Sequence, residues 1–529
     1  MIKTNQKLLA LATALAVRPG PLSAAVLEEV TVTATKREQS SQDVGIAITT
    51  FTGQQMDALG FEKAQQVTAM APGVHTIQPN GEANYSIGIR GVANSDFTTN
   101  VESPVALYVD EVYISQMSGA GFMLFDMERV EILRGPQGTL FGRNATGGLV
   151  HYITRRPEPG LDGYVKGTFG EYDQYKMEGA IGGGNETVSA RLSASYHENE
   201  GYVTNRLDPG NKLNNADDLA ARLQVLFTPT EDLEILLNAR MGEQDIRTGF
   251  FENVSSIRPG ELTPGEMNPV LGYIDNDGDV YAGDYDDPGF NDLETDGFTA
   301  TIKYRFGDIN LTSITDVSNV ERRYVEDSDA SPIPFFNLIL TTDAEQKSQE
   351  LRFDGSNTKF DWVAGLYYLE LDIDDTNAII SDPFLGPAAT PGAEGGLTNP
   401  YTSSLESISV FGQVDYRLTD RLTLIAGGRY IEDERDWNYS TNITEFLDPE
   451  SDALNNAENL GFLLPLATYN GERSDSEWSG RLQLDYAMNA DLLLYGGWNR
   501  GVKAGGFNAP IFPLSPPLDY DDATMSYAP

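Results

Sequence analysis

The sequence contains no cysteine, which excludes disulfides, thiolate metal ligands and cysteine nucleophiles. Its three histidines, His75, His151 and His197, are scattered along the chain and are too few for a histidine-built metal centre. Basic charge is also scarce: 36 Lys and Arg face 79 Asp and Glu, for a net charge of -43. A phosphate backbone must be met by basic charge, so no nucleic acid is expected as a partner. Past the N-terminus no apolar run approaches the roughly 20 residues of a membrane helix. That absence excludes helical spans only, because barrel strands alternate lipid-facing and lumen-facing residues and average out in any hydropathy window.

What is present begins with Lys3 and Lys7 ahead of an apolar stretch at 8–17, followed by the small residues Ser23, Ala24 and Ala25. A charged start, a short apolar core and a small-residue exit predict a secretory signal peptide over residues 1–25. Export without cysteine points to a bacterial envelope protein.

Within 27–35, Val30, Val32 and Ala34 alternate with Thr31, Thr33 and Thr35, a β-prone segment that suits either an ordinary first strand or pairing with the edge of a partner's sheet. Thr52 with Gln55 predicts a capping box, and Gly60 the helix stop. A second helix is expected over 62–70, ended before Pro72. Short strands are expected at 86–90, 105–109 and 130–133, which makes a mixed α/β domain of roughly 120 residues. The run from Val130 to Gly148 is rich in glycine, but it has neither the Gly-Lys-Ser/Thr ending of a P-loop nor a dinucleotide-binding spacing. Its glycines are expected to permit tight turns and close backbone approach.

Taken in order, Glu29, Val30, Thr31, Val32, Thr33 and Ala34, then Ile89-Arg90-Gly91, Tyr108-Val109-Asp110, and Val130 through Gly148 resemble the plug domain of a TonB-dependent receptor. The resemblance implies that residues 29–34, within a TonB-box segment at 26–37, are grasped by TonB, acting with ExbB and ExbD. It implies a plug at 38–158, and plug–barrel coupling at Arg90 and Arg134 with the glycines after them, Gly91 and Gly135. The two arginines would meet wall carboxylates from strands later than any in this chain. Leu149-Val150-His151-Tyr152 departs from the family pattern, which has small or aliphatic residues there.

The remainder, 160–529, alternates with period two. Val188, Ala190, Leu192, Ala194 and Tyr196 interleave with polar residues, as do Leu482, Leu484 and Tyr486. Runs of roughly 8–11 residues suffice to cross a hydrocarbon layer when tilted. About thirteen such strands are expected, from near Tyr164 to near Trp498. Alternation alone fits a soluble sandwich too. The connections discriminate: short turns at 183–186, 229–232, 307–308, 354–358, 419–420 and 488–491 fall at every second connection, with long ones between. That asymmetry belongs to outer-membrane barrels. Phe227, Tyr304, Phe306, Tyr416, Tyr430, Tyr486 and Trp498 are expected in interfacial girdles, some of them as packing residues instead. Asp275, Asp277 and Asp279, at alternate positions, suggest either a calcium loop or a solvated acidic loop. The misplaced glycine and missing terminal glutamate favour the latter.

The fold class is therefore a mainly β transmembrane antiparallel barrel, about 13 of a family expectation of roughly 22 strands, with an N-terminal α/β plug. An odd strand count and an ending in mid-loop lead to the expectation that the barrel continues for roughly 200 residues beyond 529. The function this implies is uptake of a scarce ligand across a Gram-negative outer membrane, driven by protonmotive force through TonB. An iron-siderophore complex leads as cargo, with oligosaccharides and vitamins open. The alternatives are a non-transporting gene fragment, a secreted hydrolase and a passive porin. A hydrolase lacks a Gly-x-Ser-x-Gly or other catalytic constellation, and a porin needs no plug. No cofactor, metal or catalytic residue is expected.

Overall fold

The computed structural model describes residues 31–61, 63–78, 85–96, 98–116, 118, 124–249, 251–253, 255–258, 261–264, 267, 272–275, 277–333, 335–380, 394–446, 461–490, 492–510 and 520–529. The signal peptide expected at 1–25, and Glu29 and Val30 of the TonB-contacting group, lie outside them.

The N-terminal domain holds β1 (Ala47–Thr52), α1 (Gly53–Leu59), α2 (Ala64–Ala69), β2 (Val105–Val109), β3 (Val112–Ile114), β4 (Met127–Arg134), α3 (Gly138–Phe141) and β5 (Gly148–Thr154). Five of its strands form one sheet in the order β1-β4-β5-β2-β3, with β2 and β5 parallel, and Val74–Ile77 pairs with Ser86–Ile89 in a separate ribbon. The expected capping box is present: Gln55 N–H donates to Thr52 Oγ1 at 3.2 Å, and Thr52 N–H donates to Gln55 Oε1 at 3.0 Å. Gly60 stops α1 at φ 69°, in the left-handed region where glycine costs nothing. The second helix is shorter than the expected 62–70, because Lys63 is an extended N-cap and Met70 the C-cap. The sheet and helices close over Val130, Ile132, Val150, Tyr152, Ile87 and Ile89, all buried.

From Asp162 onward a single 13-stranded antiparallel sheet runs strictly in chain order. Its strands are β6 (Asp162–Phe169), β7 (Tyr175–Gly184), β8 (Val188–Asn199), β9 (Ala216–Thr230), β10 (Leu233–Ile246), β11 (Phe290–Phe306), β12 (Ile309–Asp327), β13 (Asn337–Ser356), β14 (Phe360–Ile380), β15 (Glu394–Arg417), β16 (Leu422–Phe446), β17 (Gly461–Asn489) and β18 (Leu492–Arg500). The edge strands β6 and β18 are not paired with each other. Short turns join β7 to β8, β9 to β10, β11 to β12, β13 to β14, β15 to β16 and β17 to β18, at the places the sequence indicates.

The facing of the side chains separates a barrel from a sandwich. On β17, Leu482, Leu484 and Tyr486 are exposed, whereas Arg481, Gln483 and Asp485 are buried. On β8, Val188 and Leu192 are exposed, while Ser189, Arg191 and Ser193 are buried. Polar-in and apolar-out inverts the pattern of a soluble sheet and matches a lipid-facing wall. Phe227, Phe306, Tyr416, Tyr430, Tyr486 and Trp498 of the expected girdle point outward. Tyr304 is half-buried and packs edge-on against Phe306, ring centroids 4.2 Å apart.

The strands overrun the expected 8–11 residues, reaching 29 in β17. Beyond the apolar band the alternation of burial continues, but the outward residues become acidic. Examples are Asp372 and Asp374 on β14 and Glu432, Glu434 and Asp436 on β16, all exposed. Much of the acidic excess is therefore on the outer faces of strand extensions as well as in loops. Once the outward side meets water, nothing requires it to be apolar, and the sequence contrast that marks a strand fades while the ladder persists.

Candidate functional site

The site is the interface between the N-terminal domain and the polar inner face of the wall. Among the described residues of the 27–35 stretch, Thr31–Val32 pairs with Gln39–Ser40 as a small ribbon. Thr33 follows, and its N–H donates to both oxygens of Glu131 on β4 at 3.0 and 3.1 Å, with its hydroxyl 3.3 Å from Oε1. Glu131 is fully buried, held also by Arg129 Nε at 2.8 Å. Burial raises its pKa, against the pull of Arg129 and Thr33. Val32 and Ala34 are buried in the shared core.

Lys36 then plugs into the wall. Its ammonium lies 3.2 Å from Glu350 of β13 and 3.7 Å from Glu111, and 4.9 Å from the Phe141 ring centroid. Arg352 of β13 donates to Glu111 at 2.8 Å, which completes the network. Arg37 pairs with Asp415 of β15. Residues 33–38 line a cavity shared with Glu231, Asp232 and Arg305 at the short turns, so this segment stands at the short-turn mouth of the wall.

The glycine-rich run makes the second contact. Gly138 and Gly142 have no room for a side chain: a Cβ would meet Ser479 Oγ at 2.7 Å from the first and Arg429 Cζ at 2.8 Å from the second. Gly142 also has φ 82°. The glycines permit close approach to β16 and β17, as expected, and no phosphate cradle is required. Asn144, at φ 65°, is the pin: its N–H donates to Val502 O at 2.9 Å, and Ala504 N–H donates to its Oδ1 at 3.0 Å.

Glu102, 6% exposed, sits at the centre of a buried cluster. It accepts from Arg143, from Asn144, from Tyr113 OH at 3.0 Å and from Arg435 of β16 at 3.0 Å. Arg143 also reaches Asp433 at 3.2 Å. Burial pushes the Glu102 carboxyl up, but Arg143 and Arg435 outweigh it and hold it below the usual range. Sequence reasoning passed over Glu102, Arg143 and Arg435; the one available signal was a charged Arg143 inside a run of glycines.

A third contact lies on the opposite wall. Arg191 of β8 clamps Asp126 with two bonds of 2.7 and 2.6 Å, and Arg222 of β9 donates to the carbonyls of Phe125 and Asp126. Towards the long connections, Thr99 Oγ1 meets Thr342 Oγ1 at 2.8 Å and Asn100 donates to Phe507 O at 2.7 Å. Above them Trp437 stacks on Tyr401 at 4.8 Å and on Phe507 at 5.7 Å. The domain thus runs from the short-turn mouth to the long-connection end.

The four predicted coupling residues come together, but at the domain's own surface. Arg90, at φ 54° and exposed, lays its guanidinium against Gly135, where a Cβ would come within 3.0 Å of Nη1. Arg134 donates to Pro72 O at 3.0 Å, and its Nε is buried without a partner. Neither has a carboxylate partner among the described residues. Gly91 has φ 81° and Gly135 φ 101°.

The Asp275–Asp279 alternation resolves into consecutive Asx turns: Asp277 N–H donates to Asp275 Oδ1, Asp279 N–H to Asp277 Oδ1, and Tyr281 N–H to Asp279 Oδ1. Arg206 enters from the β8–β9 connection and pairs with Asp275 at 2.6 Å, Asp284 at 2.7 Å and Asp277. A guanidinium therefore supplies positive charge to these carboxylates.

A polar-lined antiparallel wall curled around a small α/β domain defines a plugged barrel. Residues 40–149 match the TonB-dependent Receptor Plug Domain, and residues 237–524 match the TonB dependent receptor-like beta-barrel. The chain belongs to the TonB-dependent receptor family. It is 24% identical over 501 residues to the pesticin receptor of Yersinia pestis, covering 91% of this chain and 64% of that receptor. The crystal structure of the ferric yersiniabactin uptake receptor FyuA from Yersinia pestis superposes with a TM-score of 0.72 at 19% identity, covering 88% of this chain and 66% of that one. The siderophore receptor PiuA from Acinetobacter baumannii gives 0.65 at 16%, covering 88% and 66%.

Proposed function

We propose that the whole protein is an outer-membrane receptor of a Gram-negative bacterium, importing a scarce ligand of the ferric-siderophore class by traction from TonB. Protonmotive force would arrive through ExbB and ExbD. The observation that carries this reading is the placement of residues 31–37. They stand at the short-turn mouth, bonded to the plug at Glu131 and to the wall at Glu350 and Asp415. A pull there acts directly on strand β4, which leads into the glycine-rich run. Glu29, Val30, Thr31, Val32, Thr33 and Ala34 form the grasped segment. Arg90 and Arg134 with Gly91 and Gly135 remain proposed coupling residues. The names of two structural relatives, a ferric yersiniabactin uptake receptor and a siderophore receptor, favour an iron chelate over an oligosaccharide or vitamin. No covalent chemistry on the ligand is required.

The test deletes residues 30–34 in the full-length gene and measures growth and radiolabelled iron accumulation on candidate ferric chelates. Uptake is expected to fall to the level of a receptor deletion while ligand binding to cells persists. Undiminished uptake would refute coupling through this segment.

A further inference from the structure

At the long-connection end, above the apolar band, the acidic side chains of two connections converge without a cation. Strand β12 ends at Asp327, ten residues past the outward-facing Val317. Its carboxyl lies within hydrogen-bond distance of Asp286, from the connection preceding β11. Asp329 adds a third negative charge, and Asp287 flanks Asp286. No lysine or arginine pairs with Asp286, Asp327 or Asp329 among the described residues.

Ala330 N–H donates to Asp327 Oδ1 and Phe336 N–H to Asp329 Oδ2, each at 2.7 Å, but one oxygen of each side chain lacks a donor. Asp286 Oδ1, Asp327 Oδ2, Asp329 Oδ1 and Asn337 Oδ1 are all buried without a hydrogen-bond partner. Asp327 and Asn337 are each 6% exposed. They are direct cross-strand partners at the start of the β12–β13 ladder, so their side chains share one face. The Asn337 amide is oriented by its Nδ2, which donates to Asp287 at 3.3 Å and leaves Oδ1 as a free acceptor. Burial first, then repulsion among the carboxylates, raises the pKa of Asp286 and of Asp327. Two buried carboxylate oxygens facing each other with no other donor between them are relieved either by a cation or by a shared proton.

We propose that this cluster binds a hard divalent cation of the calcium class, ligated by Asp286, Asp327 and the Asn337 side-chain carbonyl, with Asp329 closing the shell. All the donors are oxygen, which is what calcium takes and what thiolate- or imidazole-seeking metals do not. No three acidic or histidine side chains among the described residues already stand in a closed ligand arrangement, so the cation draws the carboxylates together from their present spacing. It ties the β10–β11 connection to the β12–β13 connection. This is unlike the Asp275–Asp284 loop, where Arg206 already supplies the charge, and it is independent of the cargo and of TonB.

Thermal unfolding of the full-length protein in detergent, in calcium chloride against EDTA at physiological ionic strength, tests the proposal. Calcium is expected to raise the Tm by several degrees. Asp327→Asn should abolish that increment while leaving the Tm in EDTA equal or higher, because it removes the repulsion. Should Asp327→Asn not fold, Asn337→Ala carries the same test through its lost increment. A calcium increment retained in these variants overturns the site. So does a wild type indifferent to calcium whose Tm in EDTA climbs on mild acidification, since the pair would then share a proton.

Discussion

Thr33 and Glu131 lie 98 positions apart in sequence, yet the Glu131 carboxylate accepts both the amide and the hydroxyl of Thr33. The bond fastens the segment proposed for TonB to the middle of the plug sheet. Glu131→Ala leaves the part-buried Thr33 amide without its acceptor and Arg129 with Glu128 alone, which costs about 1–3 kcal/mol. The expected result is faster hydrogen exchange at the Thr33 amide and quicker tryptic cleavage after Lys36 and Arg37, with the barrel's exchange unchanged. Unaltered exchange at Thr33 would mean the bond holds nothing in place.

Glu102 answers for two buried arginines at once. Glu102→Ala leaves Arg435 without its carboxylate and Arg143 with Asp433 alone, and removal of one partner from such a buried cluster costs about 3–5 kcal/mol. Urea unfolding of the variant should show that loss. Double replacement of Glu102 and Arg435 should lose less than the sum of the single changes, because the two share a contact.

Gly142→Ala meets two obstacles: a Cβ 2.8 Å from Arg429 Cζ and a backbone at φ 82°. Destabilisation of about 1–3 kcal/mol is expected, in the range of overpacking and backbone strain. Trimming the wall with Arg429→Ala should recover the steric part only, so the double variant remains less stable than Arg429→Ala alone.

His151 supplies a pH dependence. Burial lowers its pKa to about 3, against the pull of Glu111, with Lys36 and Arg129 pushing it further down. Its Nε2 accepts from the Glu111 amide at 3.0 Å, so the folded protein needs a neutral ring. The unfolded ring titrates near 6.5 and binds more protons than the folded one between about pH 6.5 and 3. The contribution is therefore complete above pH 6.5 and is lost on acidification, by up to about 1.4 kcal/mol per pH unit. Glu131, with its raised pKa, acts in the opposite sense as pH rises past its unfolded value. His151→Gln should flatten the acid limb of a stability-versus-pH curve; an unchanged limb would place the sensitivity elsewhere.

The parts legible in the sequence were those with a local cause. Thr52, Gln55 and Gly60 announce α1 because capping is settled within four residues. The thirteen strands and their short turns follow from period-two contrast between oil and polar interior. The strand extensions were missed because Glu432, Glu434 and Asp436 face water, so the same ladder carries no apolar signal. The Asp275–Asp279 alternation has a local cause too, a chain of Asx turns, but its neutralising charge is Arg206, some 70 residues earlier.

The amino-acid order by itself determined a plug followed by an antiparallel wall with polar inside and apolar outside, because lipid, water and hydrogen-bonding act on each residue through its immediate neighbours. Which charges meet was decided only by the tertiary structure. Glu102 with Arg435 and Asp126 with Arg191 pair because curling the sheet brings distant inward faces around one domain, and Thr33 meets Glu131 because the N-terminal segment folds back onto the plug's own sheet. Pairings in a buried interior depend on separations in space, and no spacing along a chain encodes them.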